Sequence, residues 1–418
     1  MTGSIGLLAA TAAVLCVAIG ALAASEWLHL PEVVMCLLGG VLIGPRMLGF
    51  VNPAAHLPWV RDFFILGVCL VLYEGGRTLR LPVLKRVGVS VAMLATVGVV
   101  VTSVLIAAWS QAWWHIGWPL SLILGGALAS TDPAVLIPLA DRLRLPDLLR
   151  ETLVAEAALN DVFSALLVFE GMHLLASSSP SWGGGLDFLA IQFGVGLGAG
   201  VAAGLLFRFF VIHERFGFLS RYAVLLGFVV ALAAFESAHE FSGSGFLAVF
   251  VAGLISGGSG NARTGLRQQE MEHFGATTLT VVRLALFILL GALASTLLPE
   301  LWAHAGSLLL LGFLLMFLIR PMVVWLTAAW DPRARWRARE LWFLSWVRET
   351  GVVPASLAGL WLASGLPHAP RMAATVFAVI ILTIVVQVPT SALWARSLGL
   401  SSLHPQSPNP APCPENHL

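Results

Sequence analysis

The sequence predicts an all-α polytopic membrane protein with about 13 transmembrane helices. Of its 418 residues, 58% are hydrophobic and only 11% are charged, whereas soluble domains carry about 25% charged residues. The hydrophobic residues form runs of about 20, the length that a helix needs to cross a bilayer core of about 30 Å. The alternating pattern of a membrane β-barrel is absent from the sequence, so we expect a bundle of helices.

We predict that residues 1–396 form a single membrane unit. The stretch 397–418 is rich in proline and serine, which is typical of a short disordered tail. The thirteen predicted spans cover residues 5–24, 31–49, 60–75, 87–109, 119–140, 149–174, 187–211, 222–240, 245–257, 274–296, 303–329, 340–363 and 371–396.

Basic residues concentrate in alternate loops. The loops at 110–118, 177–186, 241–244 and 297–302 contain no Lys or Arg, whereas those after the third, fifth, seventh, ninth and eleventh spans are basic. The positive-inside rule then places the N-terminus outside the cell membrane and the C-terminal tail in the cytoplasm. The net charge of +1 gives no sign of a nucleic-acid partner.

Two spans contain helix-breaking residues. Pro133 lies in the middle of the fifth span and cannot donate to the preceding turn, so we expect a break or kink there. Gly351 and Pro354 predict a second interruption in the twelfth span. Two interrupted helices seven spans apart suit inverted repeats of spans 1–6 and 8–13. Such breaks free backbone carbonyls and half-helix ends, which can bind a small cation beside a carboxylate.

Asp161, in the sixth span, is our candidate for that carboxylate, because acids inside membrane spans are usually functional. A structural hydrogen bond between helices is the alternative. Glu156 and Asn160 are four residues apart and therefore share one face of the sixth span. Asp161 is offset from Glu156 by about 140° around the helix. It lies on a different face, together with Ala157 and Ser164. We therefore expect one carboxylate to face the ion path and the other a structural partner.

Two arginines in other spans can balance these acids. Arg320, late in the eleventh span, is the candidate partner for Glu156, because a buried charge needs an opposite charge beside it. Arg348, in the twelfth span, would place positive charge near the crossing of the broken helices.

Two further acids leave alternatives open. Asp132 suits an ion ligand and equally a cap of the broken helix, because Asp before Pro fits a helix start. Glu74, near the cytoplasmic end of the third span, suits either an entry site for the ion or an acid at the membrane interface.

These motifs resemble those of the NhaP-type cation:proton antiporters over about residues 30–390. The motifs that carry the resemblance are Thr131-Asp132-Pro133, Glu156 with Asn160-Asp161, Leu72-Tyr73-Glu74-Gly75-Gly76, Gly243–Ala248 with Ala252-Gly253, and Glu32 with Gly39-Gly40 and Gly44-Pro45. The resemblance implies an NhaA-like antiporter fold and a homodimer. Its core domain, about 87–174 and 303–396, would move against a dimerisation domain made of the remaining helices.

The resemblance also implies roles for individual residues. It places four at the ion-binding site: Asp161, Asn160, Thr131 and Asp132. Na⁺ or K⁺ would bind at Asp161 and Thr131. Glu156 and Arg320 would form the stabilising pair, and Glu74 would approach the ion path from the third span.

The chain departs from the family pattern at two positions. Many relatives have Ser after the Glu of the sixth span, where this chain has Ala157, and Ser164 is a candidate substitute on the same face. The twelfth-span motif often reads Gly-Leu-Arg-Gly-Ala, whereas Glu349 follows Arg348 here. This additional acid can pair with Arg348 or face the pathway.

These observations predict a secondary transporter that exchanges a monovalent cation, Na⁺ before K⁺ or Li⁺, for H⁺. Cation and proton would compete for Asp161, and because neighbouring Asn160 carries no second proton, we predict electroneutral 1:1 exchange. We predict no cofactor and no enzymatic activity, since the sequence has no H-E-x-x-H or G-x-S-x-G motif. A passive cation channel and a K⁺-selective antiporter are the alternatives.

Overall fold

The computed structural model describes residues 7–28, 31–53, 57–79, 81–176, 182–212, 222–257 and 265–400. Within these ranges the regular structure is helical and no strand occurs. The predicted tail lies outside them from residue 401 onward. The α-helices are α1 (Leu7–Leu28), α2 (Glu32–Ile43), α3 (Leu57–Thr78), α4 (Leu81–Met93), α5 (Val99–Trp114), α6 (Trp118–Leu128), α7 (Pro133–Leu143), α8 (Asp147–Ala176), α9 (Trp182–Phe207), α10 (Ala223–Glu240), α11 (Gly245–Gly257), α12 (Gly265–Ala294), α13 (Leu298–Leu314), α14 (Arg320–Thr327), α15 (Ala338–Trp346), α16 (Val352–Ala363) and α17 (Ala369–Ser397).

Length and apolarity identify seven membrane-spanning segments in the described part of the chain. They are Ala9–Leu28, Val87–Trp114, Asp147–Leu175, Asp187–Val211, Ala223–Glu240, Thr277–Thr327 and Ala369–Ser397. The number is smaller than the thirteen predicted spans for a physical reason. Several apolar helices, such as α6 and α16, are too short to cross a bilayer alone, and Thr277–Thr327 joins more than one helix into a single segment.

The fifth and twelfth predicted spans are both interrupted, as their glycine and proline residues predict. α6 ends at Leu128 and α7 begins at Pro133. Proline suits the first turn of a helix, because a backbone N–H at that position has no hydrogen-bond partner within the helix and its loss costs nothing. α15 ends at Trp346, and α16 begins at Val352, directly after the N-cap residue Gly351. Each interruption exposes backbone groups that need partners from elsewhere in the fold.

Two π-helical turns lie in the spans that precede these interruptions. Leu94–Gly98 joins α4 to α5, and Leu315–Ile319 joins α13 to α14, so that Arg320 directly follows the second π turn. The Gly98 position faces Val323 of α14, whose Cγ1 would lie 3.1 Å from an added Cβ. π turns interrupt the regular helical ladder and often lie at functional sites.

Glycines bring α3 and α11 into close contact. A Cβ at Gly76 would lie 2.2 Å from the carbonyl oxygen of Phe250, and one at Gly253 would lie 2.1 Å from that of Tyr73. Small residues allow helix backbones to approach in this way within membranes. α3 also packs against α16, while α6 packs against α5 and α8, so the two interrupted helices are enclosed by continuous ones.

The loop after α14 is attached to α4 by a buried carboxylate. Asp331 accepts hydrogen bonds from the Ser90 hydroxyl at 2.6 Å and the Ser90 amide at 2.9 Å, and from the backbone of Arg333 and Ala334. Burial alone would raise the pKa of Asp331, but these hydrogen bonds outweigh it and hold the pKa below its usual value.

Candidate functional site

The two helix interruptions meet in the interior of the protein. The backbone amide of Asp132 donates a 2.9 Å hydrogen bond to the carbonyl oxygen of Glu349. Arg348 Nη2 donates to the carbonyl oxygen of Leu128, the last residue of α6, at 2.6 Å. A cation suits this position because a helix C-terminus carries partial negative charge. The crossing is therefore joined by one backbone hydrogen bond and one charged side chain.

Asp161 of α8 lies beside the interruption between α6 and α7. Its side chain is 2% exposed, and its Oδ1 accepts a short hydrogen bond from the hydroxyl of Ser130. Ser130 and Thr131 belong to the non-helical stretch that Pro133 ends. The break thus presents hydroxyl groups to the carboxylate that the sequence singles out.

Asn160 makes a reciprocal pair of hydrogen bonds with Thr131. Its side-chain nitrogen donates to Thr131 Oγ1 at 2.8 Å, and its Oδ1 accepts from the Thr131 backbone amide at 3.3 Å. Both side chains are buried. Asn160 therefore holds the unwound segment against α8, which fixes the position of Ser130 relative to Asp161.

The face of α8 that carries Asp161 is buried on both sides of it. Ala157 belongs to an apolar cluster. Ser164 is fully buried, and within the described structure its hydroxyl has no hydrogen-bond partner. The hydroxyl that bonds to Asp161 is therefore that of Ser130 and not that of Ser164. Ser130 lies on the non-helical segment that faces α8.

Glu156 and Arg320 form a buried, bidentate ion pair. Arg320 Nη1 and Nη2 lie 2.5 and 2.9 Å from the two oxygens of Glu156, and Nε donates to the carbonyl of Leu344 at 3.2 Å. Both side chains are at most 5% exposed. The two charges neutralise each other, and the pair connects α8 to α14 beside the crossing.

Among the described residues Glu156 has an ion-pair partner, whereas Glu349 is buried without one. It is fully buried, and neither of its carboxylate oxygens accepts a hydrogen bond from any described residue. Arg348 is its chain neighbour, but the guanidinium donates to the carbonyl of Leu128. Glu349 thus adds a carboxylate to the crossing without a hydrogen-bonded counter-charge from the described residues.

Glu74 forms an ion pair within α3. Its carboxylate accepts from Arg77 Nε at 2.8 Å and from Nη2 at 2.6 Å. The two side chains line a small cavity of about 30 Å³ between α3, α10 and α12. The neighbouring position Gly75 faces Ala158 of α8, so the α3 face with Glu74 is turned toward α10 and α12.

A larger cavity of about 860 Å³ opens between α3, α8, α9, α10, α11 and α16. Phe169 and Met172 of α8 line it, and Phe169 lies eight residues beyond Asp161, about 12 Å along a helix. Phe169 contacts Phe246 with ring centroids 5.4 Å apart. The cavity also contains Glu236 and His239, so it is aromatic in part and acidic in part.

The polar groups around Asp161 are suited to a small, hard cation. They comprise a carboxylate, an amide and two hydroxyls, all buried, and oxygen ligands of this kind favour alkali and alkaline-earth ions over softer metals. A carboxylate in such a setting can hold one cation or one proton.

The sequence did not predict a role for Ser130. The signal was available, since Ser130 directly precedes the Thr-Asp-Pro motif.

Comparison with known proteins gives a family match. The family model described as "Sodium/hydrogen exchanger, transmembrane" matches residues 12–396. A K⁺/H⁺ antiporter, NhaP2, of Shewanella sp. (strain ANA-3) is 27% identical over 79% of this chain and 56% of its own length. The chain thus spans little more than half the length of that relative.

A second relative matches over nearly its full length. Na⁺/H⁺ antiporter 1 of Methanocaldococcus jannaschii is 26% identical over 92% of this chain and 93% of its own length. The solved structure of the sodium proton antiporter MjNhaP1 from the same organism superposes with a TM-score of 0.79 at 24% identity. That superposition covers 94% of this chain and 99% of the other. At this identity the structural likeness shows a shared fold.

Proposed function

The chain belongs to the transmembrane sodium/hydrogen exchanger family, and we propose that it exchanges a monovalent cation for H⁺ across the cell membrane. Asp161 carries the exchange, with Asn160, Thr131 and Asp132 at the unwound segment and Ser164 on the same face of α8. The observation that carries the proposal is the buried Asp161 carboxylate beside the interrupted helix, with the Ser130 hydroxyl on its oxygen.

Exchange follows from competition at one carboxylate. A cation and a proton each neutralise Asp161, and both cannot occupy it together. Because Asn160 carries no charge and is engaged with Thr131, a single charge alternates at this pair. We propose an electroneutral 1:1 exchange by alternating access.

Na⁺ is the cation that we propose first, and K⁺ is the principal alternative. The relative that matches over nearly its full length is named as a Na⁺/H⁺ antiporter, whereas the longer Shewanella relative is named as a K⁺/H⁺ antiporter. Li⁺ has the same charge and a preference for oxygen ligands, and it belongs in the same test.

The proposed architecture has thirteen spans in inverted repeats. The core domain comprises about 87–174 and 303–396, and the remaining helices form the dimerisation domain of a homodimer in the lipid bilayer. The fifth and twelfth spans cross at their interruptions, which supports this division.

In the proposed orientation the N-terminus lies outside and the C-terminus in the cytoplasm. The large cavity then faces outward, because it lies at the ends of α8 and α16 toward the arginine-poor loops.

Proteoliposomes with a trapped pH dye test the proposal. A pH gradient is imposed, and NaCl, KCl, LiCl or choline chloride is added to vesicles containing the wild type or Asp161→Asn. We expect dequenching with Na⁺ or K⁺ but not with choline, and its loss in Asp161→Asn. Full exchange in that variant would refute the assignment of Asp161.

Glu170→Gln is a matched control, because Glu170 is another buried acid on α8, nine residues beyond Asp161. We expect it to retain exchange. A passive channel, the competing function, would give cation flux with no coupled pH change. A voltage-dependent transport current would contradict the electroneutral stoichiometry.

A further inference from the structure

We infer that Glu349 is a second binding site for a monovalent cation, separate from Asp161. The inference rests on the proposed function, because it takes the ligand to be the cation that the protein transports.

The charges buried at the crossing of the two interrupted helices do not balance. The acids are Asp132, Glu156, Asp161 and Glu349, and the bases are Arg320 and Arg348. The Glu156–Arg320 pair is neutral. Arg348 can offset one of the three remaining carboxylates, and a cation at Asp161 offsets another. One negative charge is then left in a region of low dielectric, where an isolated ion is strongly unfavourable.

The remaining charge falls on Glu349 rather than on Asp132. Asp132 directly precedes the first residue of α7, where the partial positive charge of the helix N-terminus stabilises an anion. The backbone carbonyl of Glu349 accepts a hydrogen bond from the Asp132 amide. Both of its carboxylate oxygens are fully buried, and the described residues donate no hydrogen bond to them. A buried carboxylate in this state is neutralised either by a proton or by a bound cation, and we assign the cation.

Further oxygen atoms without hydrogen bonds in the described structure lie along the same interruption. The hydroxyl of Thr350, within the interruption, is one, and the side-chain oxygen of Gln387, on the neighbouring helix α17, is another. Gln387 Nε2 donates to the Trp346 carbonyl at 2.6 Å, and Thr383, one turn earlier on α17, accepts from the Thr350 amide at 3.3 Å. α17 therefore fixes both ends of the interruption. Carboxylate, hydroxyl and amide oxygens are suitable ligands for an alkali cation.

The number of bound cations can be measured without transport. The full-length protein in detergent is unfolded at constant ionic strength and one alkaline pH, with choline chloride replaced stepwise by NaCl. Because a ligand stabilises the native state by mass action, the slope of stability, in units of RT, against the logarithm of Na⁺ concentration counts the bound ions. We expect a slope of about two for the wild type, about one for Asp161→Asn or Glu349→Gln, and about zero for the double variant.

Glu170→Gln is the matched control and should keep the wild-type slope. A wild-type slope of about one that vanishes in Asp161→Asn would overturn the inference, and it would mean that Glu349 is protonated. These two slopes show whether a second cation binds even where Glu349→Gln does not fold, and the Glu349→Gln slope assigns it to Glu349. Proteoliposome exchange is measured separately. A slope of about two without proton exchange would refute the proposed function and leave the Glu349 site in place.

Discussion

Gly351 and Asp132 are in such close contact that no other residue fits at position 351. A Cβ added to Gly351 would lie 2.1 Å from Asp132 Oδ2 and 2.2 Å from Asp132 Cβ. Gly351 has a negative φ of −139°, so the constraint at this position is the steric contact with Asp132 and not a left-handed backbone. The glycine that interrupts one helix thus makes room for the acid that directly precedes the other.

Gly351→Ala is therefore expected to separate the two interruptions and abolish cation exchange. The methyl group can be accommodated only if α16 or the Asp132 segment moves by more than an ångström, which would break the hydrogen bond from Asp132 to Glu349. Exchange in proteoliposomes and the thermal midpoint measure the effect. Gly198→Ala on α9 is the control, because nothing lies within 4 Å of its Cβ position. Normal exchange in Gly351→Ala would contradict the crossing geometry.

The buried Glu156–Arg320 pair predicts a strong effect on stability. Glu156→Gln or Arg320→Gln should each destabilise the protein by about 3–5 kcal/mol, because each leaves the partner charge buried alone. The double variant should lose less than the sum of the single losses. Asp62→Asn removes an exposed ion pair with Arg61 and should change stability by less than about 1 kcal/mol. Additive losses in the double variant would show that the pair is not coupled.

The hydrogen bond from Ser130 to Asp161 predicts an effect on cation affinity. Ser130→Ala should raise the KM for Na⁺ about tenfold, since a hydrogen bond to a charged group contributes about 1.5–3 kcal/mol. Adding Ala157→Ser should recover part of the loss, because it places a hydroxyl on the face of α8 that carries Asp161. Ser121→Ala is the control, as the Ser121 hydroxyl is buried on α6 and no described residue bonds to it. An unchanged KM in Ser130→Ala would remove Ser130 from the site.

Asp331 predicts a pH dependence of stability that is separate from transport. Its pKa is lowered in the folded protein, so its stabilisation is fully present above the unfolded pKa of about 3.9 and is lost as pH falls through the folded pKa. Asp331→Asn should destabilise the protein at neutral pH and flatten the stability profile in this acidic range. Unfolding curves from pH 7 down to about pH 3 test this. A variant with the wild-type acid profile would contradict it.

Much of the candidate site is predictable from the sequence because polar residues are so few in the apolar spans. Acids, arginines and helix breakers are conspicuous there, and the amino-acid pattern alone distinguishes Asp161, Glu156 and Arg320. It does not distinguish Ser130, because a serine in a membrane helix is common and can hydrogen bond to its own backbone. The role of Ser130 depends on the direction in which the unwound segment presents it.

The amino-acid sequence by itself determined the helical class and the interruptions at Pro133 and Gly351. These are local consequences of apolar run length, of a proline without an N–H and of a glycine without a Cβ. Only the tertiary structure decided which partner each buried polar group has. Arg348 bonds to the Leu128 carbonyl and not to Glu349, and Glu74 pairs with Arg77. Such choices depend on the relative orientation of packed helices, and in the case of Arg348 the two partners are 220 residues apart along the chain.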